Sequence, residues 1–281
     1  MITLPYPPQR PLSVGEVLDL SFRIYRATVV KCLLFAALGV LAGQLVNIYA
    51  VMQGRAMAKG ADAWQSLLAQ LVDPAMIALY LVGLVLTIVF YAAVLLRQRR
   101  ILGGGSAGGE LAAAVRRLPA LIALGVLVVV GLAACFLPAL VTGGALRALL
   151  ILAAVIVLCY AFVAVSCAQT ILLIDDSGPV SSLRRSWRLT AGSFWRLSLI
   201  YTVAVIILCV LYAVIAAIAG FVAAVLGRGD VAMVTAFTEV VAVALGALAT
   251  PFYGALALAV LGDLKARKEG ADLEQRISAT A

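Results

Sequence analysis

Six stretches of the chain, 32–54, 74–96, 118–146, 148–174, 197–227 and 240–262, run 23 or more residues without a single Asp, Glu, Lys or Arg. A bilayer's hydrocarbon core is about 30 Å thick and an α-helix rises about 1.5 Å per residue, so ~20 apolar residues cross it. Each stretch can hold one span, which predicts an all-α polytopic membrane protein with six transmembrane helices. The chain is 65% hydrophobic and 12% charged, against roughly half and a quarter in soluble domains. The longest connection, at about 52–74, is too short to bury a core of its own. A single membrane domain over 1–281 is expected, with no soluble enzyme attached. The first apolar run follows Lys31 and is too long for a signal peptide, so it reads as a retained helix.

Basic residues divide unevenly between alternate connections. Seventeen of the 21 lie on one side: Arg10, Arg23, Arg26, Lys31, Arg97, Arg99, Arg100, Arg116, Arg117, Arg184, Arg185, Arg188, Arg196, Lys265, Arg267, Lys268 and Arg276. Only Arg55, Lys59, Arg147 and Arg228 fall on the other. Positive charge stays in the cytoplasm, which predicts cytoplasmic termini. The net charge of +8 then attracts anionic lipid headgroups. Topology accounts for these arginines without nucleic acid.

Each basic block is amphipathic. Over 13–26, Val14, Val17, Leu18, Phe22 and Tyr25 share one helical face, with Glu16, Asp19, Arg23 and Arg26 opposite. Over 106–117, Leu111 and Val115 oppose Glu110 and Arg116; over 178–196, Val180, Leu183, Trp187 and Phe194 oppose Arg184, Arg185 and Arg188. Aligned on Leu18, Leu111 and Leu183, an arginine follows five residues on: Arg23, Arg116, Arg188. This predicts three parallel repeats (13–96, 106–174, 178–262), each an interfacial helix followed by a transmembrane hairpin, and a tail over 263–281. Arg23, Arg26, Arg116, Arg184, Arg185, Trp187 and Arg188 are the candidate lipid- or partner-binding residues.

The opening PLSVGEVLDLSFRIYR, the central RRSWRLTAGSFWRL (184–197) and the ending GDLKARKEGADLEQRI (262–277) carry a resemblance across most of the chain. It resembles the bacterial membrane-protein family named after the membrane domain of glycerophosphoryl diester phosphodiesterases. The ending is the most specific patch: members end their last span in Tyr-Asp-Leu-Arg-x-Arg-x-Glu-Gly-x-Asp-Leu. Here Gly262 replaces the aromatic and Lys265 the first arginine. The resemblance implies a bacterial plasma (inner) membrane protein but no activity. The phosphodiesterases themselves resemble barrel enzymes with catalytic histidines, and this chain has no histidine. The hydrolase reading therefore fails for this chain.

Other chemistry is sparse. Asp175-Asp176 resembles a carboxylate pair that holds a divalent cation, but no second acidic motif accompanies it. A helix exit and turn at Ser177-Gly178-Pro179 is the preferred reading. Glu239 is the one carboxylate near a span, a boundary residue unless the last helix begins nearer Val231, which would bury it. Pro251 is expected to kink that helix. Cys32, Cys135, Cys159, Cys167 and Cys209 read as packing residues. Gly39, Gly43, Gly125, Gly131 and Gly246 are expected at close helix contacts. Residues 103–109 form a glycine-rich joint, and 63–72 a short helix on the outer leaflet.

No catalytic, metal or cofactor-binding residue emerges. The expected function is a non-catalytic scaffold or accessory subunit, its partners anionic membrane lipid or another membrane protein. The alternative is a carrier for a lipid or small amphiphile with a cavity between hairpins. Its candidate polar residues are Gln44, Asn47, Ser166, Gln169, Thr202, Thr238 and Glu239.

Overall fold

The computed structural model describes residues 6, 8, 10–52, 73–105, 108–226 and 231–280, leaving undescribed the side chains at 51, 224, 226, 231, 232, 235, 236 and 269–280. The expected helix at 63–72 lies outside the described residues. These residues form helices and connections with no strand among them: α1 (Val14–Gly43), α2 (Leu45–Met52), α3 (Pro74–Leu102), α4 (Glu110–Arg116), α5 (Leu118–Ala134), α6 (Leu137–Leu140), α7 (Gly144–Val165), α8 (Ala168–Ile174), α9 (Pro179–Thr190), α10 (Phe194–Leu226) and α11 (Val231–Thr280).

Five segments are long and apolar enough to cross a membrane: Val14–Gly43, Pro74–Leu102, Gly144–Ile174, Phe194–Ala223 and Phe237–Lys268. A sixth exists if α4 and α5, bent by 53° at Arg117, count together. Large apolar side chains point outward along most of them, including Val30, Tyr80, Phe162 and Phe221. Such a surface is a liability in water and ordinary in lipid. The multi-pass membrane reading is therefore supported by surface as well as length.

Local chemistry sets the helix ends. Ser13 caps α1 through a reciprocal pair with Glu16, whose carboxylate accepts the Ser13 N–H at 2.7 Å. Asp73 caps α3 by accepting from Ala75 N–H at 3.0 Å, ahead of Pro74. The third apolar stretch, expected as one span over 118–146, breaks after Ala134. Pro138 has no N–H to continue the helix, and Gly143 and Gly144 restart the chain as α7, four residues before the expected start at 148.

The three amphipathic segments also depart from expectation. The first is no separate interfacial helix, because α1 runs unbroken from Val14 to Gly43. Its buried stripe is Val17, Leu20, Ser21, Ile24, Thr28, Cys32, Ala36 and Gly39, so the face expected to be apolar is rotated; Phe22 remains partly exposed against Phe252, ring centroids 5.0 Å apart. In α4, Leu111 and Val115 face outward while Glu110 and Ala114 are buried. In α9 the inward face is Ser182, Ser186, Leu189 and Thr190, whereas Val180 and Trp187 point out. The hydroxyls turn inward because Ser186 and Thr190 reach the Ala164 carbonyl at 2.7 and 3.4 Å, beside the break between α7 and α8.

The core is the trio α1, α3 and α11, which pack along one another. Close approach depends on missing side chains. A Cβ at Gly39 would lie 3.1 Å from Phe90 Cβ, and one at Gly246 3.1 Å from Val40. Gly83, Gly254 and Gly262 are tighter still: a Cβ at Gly83 would meet the Ala42 carbonyl at 2.6 Å. Gly125 and Gly131, expected at contacts, face open space instead, since α5 packs loosely. Across the trio, the buried Gln98 amide donates to Thr28 Oγ1 at 3.2 Å and to the Pro251 carbonyl at 2.7 Å. α11 is one continuous helix through Pro251 to Thr280 and so continues through the expected start of the tail at 263.

Candidate functional site

The N-terminal segment, the starts of α4 and α10, the end of α8, α9 and residues 263–267 of α11 carry charges organised in layers at one end of the bundle. Asp263, 1% exposed, accepts the Leu12 N–H at 2.8 Å, Arg196 at 2.6 Å and Arg267 Nε at 3.2 Å. Both arginines also donate to the Leu12 carbonyl, so one carboxylate ties the N-terminal segment, α10 and α11 together. Asp175, at the end of α8, takes Arg185 from α9 at 2.8 Å and Lys265 from α11 at 2.9 Å. Asp176 adopts a left-handed φ of 51°, tolerated by Asp, and pairs with Arg117 at 2.9 Å. Arg117 also donates to the Leu172 and Leu173 carbonyls near the end of α8. Glu110 accepts two bonds from the Gly108 N–H and lies 3.6 Å from Arg100.

Tyr6 seals the same end. Its hydroxyl donates to the Leu258 carbonyl at 3.2 Å, Arg99 lies over its ring, and Gly262 makes room for it and Pro8. Burial pushes its phenol up to about 12.

Outside this layer are the residues singled out from the sequence. Arg23 pairs with Asp19 at 2.7 Å on the exposed face of α1. Arg26, Arg116, Arg184 and Arg188 are exposed and have no ionic partner among the described residues. Arg185 differs, since it is held by Asp175. Trp187 is half-exposed and packs edge-on against Tyr160 at 5.5 Å; Phe194 and the 84% exposed Trp195 continue the ladder. No ion pair or ring contact among the described residues joins the arginines of α1, α4 and α9 into one cluster.

Sequence reasoning missed the inner layer. Arg117, Arg196, Asp175, Asp263 and Lys265 read from sequence as ordinary interface charges. The paired-carboxylate question is answered by cations: Asp175 and Asp176 each face basic side chains. Glu239 is exposed on α11, which begins at Val231, and lies at the start of the apolar segment Phe237–Lys268.

A separate cavity of about 520 Å³ opens within the spanning region, between α3, α5, α7, α8, α10 and α11. Leu121, Leu124, Ala168 and Leu256 form its buried floor. Val129 and Phe162, 65% and 69% exposed, mark its mouth between α5 and α7. Of the polar residues expected for a carrier, Ser166 and Gln169 line it, joined by the unforeseen Tyr91, Tyr201 and Tyr253. Gln44 and Asn47 instead bond to each other at 2.5 Å, and Thr202 is exposed. Thr238 and Glu239 do not line the cavity.

Compared with known proteins, the chain matches no family model, no curated protein and no solved structure.

Proposed function

We propose that this chain is a non-catalytic scaffold or accessory protein of a bacterial plasma membrane, whose basic end lies in the cytoplasm and holds anionic lipid headgroups. In this reading α4 and α5 form one bent span, making six, and both termini are cytoplasmic. The observation that carries it is the division of charge. The acidic groups Asp175, Asp176, Asp263 and Glu110 are taken by Arg117, Arg185, Arg196, Lys265, Arg267 and Arg100, while Arg26, Arg116, Arg184 and Arg188 remain exposed. On α9 the exposed Arg184 and Arg188 accompany Val180 and Trp187, which point outward as an interfacial helix requires.

The repeat and the family resemblance belong to the same proposal. Each amphipathic segment leads into a span: directly in α1, through a 53° bend after α4, and through the turn at Gly192 after α9. The test is lipid co-purification in mild detergent, read by mass spectrometry. Arg184→Ala/Arg188→Ala should lose anionic lipid while keeping its fold, because Arg185 is left in place. Equal anionic lipid in both proteins would refute the proposal.

A second reading, a carrier for an amphiphile, is favoured by the cavity, which holds Ser166 and Gln169 as that reading expects.

A further inference from the structure

The cavity has an internal polarity. Counted along their helices from the basic end, Tyr201 lies five residues beyond Arg196, Gln169 six before Asp175 and Tyr91 six before Arg97. At about 1.5 Å per residue these three sit roughly 8–9 Å inside that end. Leu132, fourteen residues beyond Leu118, lies roughly 21 Å in, past the middle of a bilayer core about 30 Å thick. Ser166, nine residues before Asp175, and Tyr253, ten before Asp263, sit roughly 14–15 Å in, so the polar groups occupy the half nearer the basic end and the stretch around Leu132 is apolar.

Two shallow groups lack partners. Neither the Gln169 amide nor the Tyr91 hydroxyl makes a hydrogen bond among the described residues, while Tyr201 interacts with Ser166 and Cys167. Unpaired polar groups at membrane depth are costly, since hydrocarbon offers nothing to bond. No Asp, Glu, Lys or Arg lines the cavity. A charged headgroup would thus be desolvated without compensation, whereas a neutral hydroxyl or carbonyl would satisfy both orphans. The volume lies within the roughly 300–1,000 Å³ of small-molecule sites.

We infer that the cavity binds one neutral, hydroxyl-bearing single-chain amphiphile, entering sideways between Val129 and Phe162 with its polar end toward Gln169 and Tyr91 and its tail toward Leu132. The inference rests on the second reading above and adds the class and orientation of the ligand.

Gly125 supplies a clean test. It lines the cavity, and a Cβ there meets nothing within 4 Å, so a large side chain fills the space without displacing backbone. Gly131, on the same helix, is equally open but lies outside the cavity. The purified full chain in phosphatidylcholine nanodiscs would be labelled with a monoacylglycerol carrying a diazirine at its tail end. A matching diazirine fatty acid serves as the anionic comparison, and crosslinked residues are mapped by mass spectrometry. The monoacylglycerol should label the stretch around Leu132, more strongly than the fatty acid does. Gly125→Phe should reduce that labelling about tenfold, Gly131→Phe should not, and both should match wild type in thermal unfolding. A site that prefers the fatty acid, yet still loses it in Gly125→Phe, would overturn the ligand class while keeping the carrier reading. Labelling indifferent to Gly125→Phe would overturn both. Should Gly125→Phe misfold, Gly125→Leu is read the same way.

Discussion

Arg196 and Asp263, 67 residues apart, meet at 2.6 Å where α10 enters the bundle and α11 passes its neighbours. Asp263 is fully enclosed, so its charge is held by Arg196, Arg267 and the Leu12 N–H rather than by water. Breaking a buried pair costs about 3–5 kcal/mol, because the surviving charge is stranded. Asp263→Asn should therefore lower stability by about that amount in detergent unfolding, whereas Asp19→Asn, on the exposed face of α1, should change it by less than about 1 kcal/mol. Equal small effects would show that Asp263 is not the tie between the N-terminal segment and the two helices.

The Tyr6 phenol gives that tie a pH limit. Its folded value, about 12, lies above the ordinary 10, so the folded state holds the proton more tightly. The contribution is fully present below pH 10 and is lost as pH rises toward 12. A nitroxide on Pro11→Cys should gain mobility over that window, and Tyr6→Phe should flatten the response. An unchanged response in Tyr6→Phe would assign the transition to other groups.

Gly254 and Gln98 should behave as a coupled pair. A Cβ at Gly254 would collide with Gln98 Oε1, and Gln98 is held in place by Thr28 and the Pro251 carbonyl. Gly254→Ala should cost about 1–3 kcal/mol, and most of that should vanish in a Gln98→Ala background, a coupling typical of touching residues. Additive effects would mean that the crowding is relieved elsewhere.

Much of the fold was legible and much of the site was not, for related reasons. Freedom from charge over 20-odd residues is decisive in lipid, so candidate spans could be read directly, and five or six helical segments among the described residues are long and apolar enough to cross a membrane. Periodicity gave the amphipathic segments but misjudged their inward faces. On an interfacial helix an exposed Trp187 and a buried Ser186 are both comfortable, since the indole suits the headgroup layer and the hydroxyl bonds the Ala164 carbonyl. Pro138 broke the third stretch in a way that counting charges cannot detect. The inner hydrogen bonds and ion pairs join residues as distant as Leu12 and Asp263, and nothing local distinguishes Arg196 from its exposed neighbours.

The proposed orientation can be tested with two cysteines in a background lacking the native five. Val141→Cys lies at the exposed break between α5 and α7, and Ser181→Cys on exposed α9 at the basic end. A membrane-impermeant maleimide should label Val141→Cys in intact cells and Ser181→Cys only after permeabilisation. The opposite pattern would invert the topology.

The most direct measurement of the central claim is the lipid selectivity of the protein reconstituted in bilayers, using spin-labelled phosphatidylglycerol and phosphatidylcholine. Wild type should hold phosphatidylglycerol more strongly, with the preference weakening in salt, and Arg184→Ala/Arg188→Ala should lose most of it. A double variant with undiminished selectivity would contradict the account.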